Sequence, residues 1–264
     1  MSFTLANVFS RAFSSLGKGF LPLLAVTVLL YILPNLCLVQ GLRLAMGFTL
    51  GTPQAFQGGH IGISSAVMLL TYFFTFMHMG ATYEICVLTQ AGKPVKLGEV
   101  LMHALANAFP IFVIYLLCAL IWIFGSVLLF VPACIFGTWF SVVVPAYVTE
   151  KPGIFGAFSR SRALTKGHRW GVFGLWVLMV VIFYIVAMVI ELPLIMPMLK
   201  TTMLAAAAGR QAAPPTLPFV WMAVISVVFS ALWVVILSIN ASVYSCLRAE
   251  KERFSSATVE KIFE

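Results

Sequence analysis

The stretch Phe109–Val148, FPIFVIYLLCALIWIFGSVLLFVPACIFGTWFSVVVPAYV, runs for 40 residues without a charged side chain. As one α-helix it would be about 60 Å long, twice the roughly 30 Å hydrocarbon core of a bilayer, so it must fold back on itself. Gly125 and Pro132 bracket the turn: glycine tolerates a tight reversal, and proline suits the first turn of a returning helix. The spacing predicts a tight hairpin with almost no external loop. It also places Trp122 and Trp139 nearer the middle of their helices than an interfacial aromatic belt expects.

Working outward, apolar runs of span length recur near 20–39, 64–88, 170–191 and 218–246, and the hairpin itself supplies 109–128 and 130–149. The expected fold is therefore all-α and integral to the membrane, with six transmembrane helices in a single polytopic domain over 1–264 that ends in a cytoplasmic tail at 251–264. Composition points the same way. Of the 264 residues 62% are apolar and only 9% charged, against about 25% charged in a typical soluble domain. All eight acidic residues are glutamates, which excludes aspartate-based chemistry. Cys37, Cys86, Cys118, Cys134 and Cys246 stand singly in or beside apolar segments without C-x-x-C spacing, the pattern of packing residues rather than of a disulfide scaffold or metal site. The first long apolar run, from Phe20, has span length and no small-residue cleavage site behind it, so it is expected to be a retained span.

The net charge of +8 does not form a nucleic-acid-binding stripe, because the basic residues flank the spans. Thirteen of the sixteen Lys and Arg residues fall before the first span, after the second, after the fourth and after the sixth; only Arg43, Lys200 and Arg210 fall on the other side. Basic loops resist translocation. Both termini are therefore expected in the cytoplasm.

Each pair of spans is preceded by a shorter, more polar segment. In the first, Leu5, Phe9, Ala12, Phe13, Leu16 and Phe20 keep helical spacing among polar neighbours, an interfacial amphipathic pattern. The second begins at Leu97 and leads into Phe109-Pro110, as the first leads into Leu21-Pro22; the third begins at Ile154 and ends in Gly167-His168-Arg169-Trp170. The returning spans close on Gly80-Ala81-Thr82-Tyr83, Pro145-Ala146-Tyr147 and Ala241-Ser242-Val243-Tyr244. The implied unit is amphipathic helix, span, span, repeated over 1–90, 91–150 and 151–250.

The segment Val144–Gly174, with Pro145 and Glu150 ending one span and then Ala157, Arg160-Ser161, Leu164, Gly167, a base and Trp170 opening the next, resembles a bacterial membrane family. It is similar to the membrane domain that some glycerophosphodiester phosphodiesterases carry beside their catalytic domain, and to related stand-alone six-helix proteins of unassigned activity. Asn240–Arg248 is similar to that family's close. The resemblance covers the second half of the chain well and the first half by architecture alone. It implies a fold and a lipid-side location in a bacterial inner (plasma) membrane, and transfers no hydrolytic activity.

Three function classes are compatible with a chain of this kind. For an enzyme, His60, His78, His103 and His168 and the glutamates show no metal-ligand spacing, and no G-x-S-x-G, P-loop or dinucleotide-binding pattern occurs. No catalytic, cofactor or metal residue is assigned. For a small-solute or lipid transporter or channel, the intramembrane polar candidates are His78, Glu84 and Glu191; interfacial solvation of the glutamates and a neutral, hydrogen-bonded His78 are the competing structural readings. For a non-enzymatic protein of membrane organisation, Arg160, Arg162, Lys166 and Arg169 are the candidate phospholipid-headgroup contacts, with Arg162, Lys166 and Arg169 expected on one helical stripe behind Phe155 and Phe158. Positive-inside topology alone explains the same bases. Phospholipid is the expected partner, nucleic acid is not, and Gly167, Gly171 and Gly174 offer surfaces for a homo-oligomer. Asn240-Ala241-Ser242 is expected to pack or cap rather than carry glycan, and Leu192–Pro218 is expected to hold one short helix on the outer surface.

Overall fold

The computed structural model describes residues 3–41, 60–127, 131–208 and 219–263, and every regular element among them is helical. In chain order these are α1 (Leu5–Lys18) and α2 (Phe20–Thr27), the latter continued by two π-helical segments, Val28–Ile32 and Asn35–Gln40. They are followed by α3 (His60–Gln90), α4 (Leu97–Val127), α5 (Val131–Trp139), α6 (Val143–Glu150), α7 (Ile154–Thr165), α8 (Arg169–Ala207) and α9 (Phe219–Phe263). Among the described residues six segments are long and apolar enough to cross a membrane: Phe20–Val39, Ile61–Gln90, Leu97–Val127, Val131–Glu150, Arg169–Pro193 and Val220–Arg253.

The deciding stretch forms two helices that pack against each other. α4 ends at Val127 and α5 begins at Val131, with Pro132 in its first turn; residues 128–130 lie outside the described residues. A Cβ on Gly125 would stand 2.8 Å from the Ala133 backbone nitrogen, so the helices approach too closely there for any side chain. Trp122 packs over Gly137 in the same way, its ring 3.0 Å from where a Cβ would be.

The fourth span is not one helix. It stops at Trp139, turns through Phe140–Val142 and restarts at Val143. The break contains no proline or glycine to announce it, only Phe140, Ser141 and Val142. The freed carbonyl of Trp139 accepts a hydrogen bond from Ser161 Oγ of α7 at 2.8 Å, so a donor on another helix replaces the lost backbone donor, as hydrocarbon surroundings require. The first span deviates too. Pro34 has no N–H and its ring disfavours the normal α-helical carbonyl position four residues back; there Leu33 N–H bonds to Val28 O, a five-residue π step.

The polar lead-in segments divide into two kinds. α1 and α7 are separate helices, ending near Gly19 and Gly167. The second lead-in has no glycine before its span, and it forms a single 31-residue helix with that span, Pro110 included. α1 docks on α3 and α9 through Val8, Ala12 and Ser15, all buried, while Leu5 and Phe13 stay exposed.

The expected short outer helix is corrected. α8 runs unbroken for 39 residues through Pro193 and Pro197 to Ala207, about 58 Å and so well beyond a bilayer core. Each proline removes one backbone donor, and the leucine-, methionine- and alanine-rich sequence around them carries the helix on. The remainder of that outer segment, from 209, and Arg43 lie outside the described residues. α9 likewise continues past its span through the tail to Phe263.

The cysteines are all free; Cys86 and Cys246 are buried, Cys118 and Cys134 half-buried, and Cys37 exposed.

Candidate functional site

The break in the fourth span sets Trp139 at the C-terminal end of α5, where α7 packs across it. α7 stops at Thr165; Lys166 is extended and Gly167 has φ +98°, a conformation that favours glycine. The chain therefore turns before α8 starts at Arg169, and Arg162, Lys166 and Arg169 do not share one helical stripe. Two of them converge by another route. The guanidinium carbon of Arg162 lies 4.7 Å from the Trp139 ring centroid and that of Arg169 lies 4.5 Å from it. Each contact is worth roughly 0.5–2 kcal/mol, depending on how far it is removed from water.

Among the described residues neither arginine has a carboxylate within ion-pair distance, and Arg169 Nε is buried without an acceptor. A guanidinium lying over an indole keeps its N–H edge directed away from the ring, and that edge matches phosphate oxygens. Lys166 is exposed beside them.

Arg160 is placed differently. Its Nε donates to both oxygens of Glu150, at 3.0 and 2.8 Å, and Tyr244 Oη donates to the same carboxylate at 2.8 Å. Glu252 and Arg248 extend this network, with Arg248 Nε donating to Glu252 at 2.7 Å. This network neutralises charge internally and ties α6, α7 and α9 together. A second tie holds the start of the chain: Glu250 bonds His168 Nε2 at 2.9 Å and accepts from the Phe3 backbone N–H at 2.6 Å, and the Phe3 ring covers Gly171. Phe158 turns inward onto Phe140, whereas Phe155 is 81% exposed.

The intramembrane candidates separate. His78 is fully buried; its Nε2 lies 3.1 Å from Thr27 Oγ1 and 3.4 Å from Thr82 Oγ1, and Tyr31 packs on its ring. It thereby ties α3 to α2 at the start of the first π-helical segment. Glu84 pairs with His103 Nδ1 of α4 at 2.7 Å. Glu191 is exposed on α8, far along the chain from both. No two of the three meet.

Sequence reasoning missed Trp139 as the focus of two arginines and Glu150 as a hub. The misfit of Trp139 with an interfacial belt was a usable signal; the partners of Glu150 come from two other helices, α7 and α9, and leave none.

No protein-family model, curated protein or solved structure matches the chain. The six apolar helices define a multi-pass membrane protein.

Proposed function

We propose that this is a non-enzymatic protein of a bacterial inner membrane, built as three helical hairpins with both termini cytoplasmic, that holds anionic phospholipid headgroups at Arg162, Lys166 and Arg169. The observation that carries this is the pair of arginines on Trp139 without a carboxylate, next to an Arg160 whose charge is neutralised. Positive-inside topology requires bases on one side but does not require two of them to be stacked on one ring. Phospholipid is the partner this supports. A homo-oligomer has less behind it, since Gly171, the middle of the three glycines, is covered by Phe3 of the same chain, leaving only the turn glycine Gly167 and Gly174 open.

The alternative, a lipid or small-solute transporter, draws on one observation, the broken fourth span, because interrupted helices line substrate paths in many transporters. Lipid analysis of protein extracted with its surrounding bilayer distinguishes the two. Enrichment of anionic over zwitterionic phospholipid in the wild type, abolished in Arg162→Ala/Arg169→Ala, supports the headgroup reading; equal lipid content in both proteins removes it.

A further inference from the structure

A cavity of about 350 Å³ lies between α3, α4, α5, α6, α8 and α9. It is within the size range of small-molecule sites, roughly 300–1,000 Å³, and protein interiors seldom keep voids this large empty. Its walls are mostly aromatic and aliphatic, among them Ile114, Phe136, Phe140 and Leu237. Ser141, Asn240 and the tyrosine hydroxyls are the polar exceptions in a lining dominated by hydrocarbon.

We propose that this cavity takes one acyl chain of a membrane phospholipid, entered sideways from the bilayer. The mouth lies along α8: Trp176 and Tyr184 line the cavity and are also 42% and 63% exposed on the flank of that helix. α8 is the loosest of the six spans, with 11% of its most apolar window buried, so the opening faces hydrocarbon. One lining group, Trp233 Nε1, is buried without an acceptor among the described residues. A phospholipid brings ester carbonyls as acceptors together with its chain, and a plain hydrocarbon brings none. The cavity also begins beside the arginine pair. Phe140 follows Trp139, and Val172 is the next turn of α8 after Arg169. A lipid whose phosphate meets Arg162 and Arg169 can therefore place a chain in the cavity. The choice of a phospholipid rests on the headgroup reading above; the cavity itself does not.

The test places the full-length protein in nanodiscs containing an anionic phospholipid with a photoreactive diazirine on one acyl chain, illuminates them and maps the adducts by mass spectrometry. Ile114 and Leu237, 0% and 2% exposed, are out of reach of lipid surrounding the protein. Adducts on these two residues are expected in the wild type and should fall at least fivefold in Ile236→Trp, which fills the cavity, while adducts on exposed Ile182 and Ile185 stay unchanged. Cys118→Phe fills the same space from α4 if the first variant does not fold. Adducts confined to the outer residues overturn the proposal, as does a photoreactive free fatty acid that labels the interior where the phospholipid does not. Interior adducts formed equally from anionic and zwitterionic lipid leave the acyl-chain site standing and overturn the headgroup reading. Anionic enrichment without interior adducts does the reverse.

Discussion

At Gly125 there is no room for a single additional carbon, because the backbone of Ala133 already occupies the position. Gly125→Val is expected to destabilise the protein by about 1–3 kcal/mol through overpacking, read as a lower thermal midpoint in detergent; an unchanged midpoint would show that the contact between Gly125 and Ala133 relaxes freely. Glu150 has the opposite character, since it is held by its partners rather than by a lack of space. Its carboxylate is 20% exposed and accepts from Arg160 and Tyr244, so Glu150→Gln should cost about 2 kcal/mol, the scale of a charged hydrogen bond. The loss should be nearly matched by Arg160→Met, because the two remove the same contact, and additive losses in the double variant would sink that assignment. Gly125 was legible in the sequence because a charge-free run twice the bilayer thickness has to turn. Glu150 was not, because its partners lie on α7 and α9 and share no spacing with it.

Among the elements, α7 is the one on which the site depends. It supplies Arg162, and it caps the broken span through Ser161, which is fully buried. Ser161→Ala leaves the Trp139 carbonyl without that donor and should cost about 1–3 kcal/mol, with faster amide exchange around Phe140–Val142; unchanged exchange there would show that another donor takes over. At Gly167 a Cβ would meet nothing within 4 Å, but φ is +98°. Gly167→Ala therefore isolates the backbone term, expected near 1 kcal/mol or slightly more. The element boundaries divide by the same physics. α1 and α7 could be read as separate lead-in helices because glycines follow them. The fusion of the second lead-in with its span, the break at Phe140–Val142 and the passage of α8 through two prolines could not be read, because tertiary partners and local helix propensity, rather than hydropathy, decide whether a helix continues. For the same reason the bases at Arg162, Lys166 and Arg169 suggested a single stripe, when the structure brings Arg162 and Arg169 together from two helices.

Over the whole molecule the six spans were the most legible feature, since crossing hydrocarbon demands length and apolarity from each segment alone. Their sidedness rests on the distribution of Lys and Arg. In a cysteine-free background, Lys200→Cys should react with an impermeant thiol reagent in intact cells, and Lys93→Cys only after permeabilisation; the reverse pattern would invert the topology. His78 should matter to the bundle and not to lipid, because its contacts are Thr27, Thr82 and Tyr31. His78→Ala should lower the thermal midpoint and leave anionic lipid binding as it was.

The most direct measurement is native mass spectrometry of anionic phospholipid binding to the wild type, Arg162→Ala/Arg169→Ala and Arg162→Lys/Arg169→Lys. At about 1 kcal/mol per base near the membrane surface, the alanine pair should weaken binding roughly thirtyfold, and the lysine pair should recover only part of it, since lysine lacks the planar fork that lies on Trp139 and meets phosphate with its edge. Equal affinity in all three proteins would contradict a headgroup site and leave these arginines as determinants of topology alone.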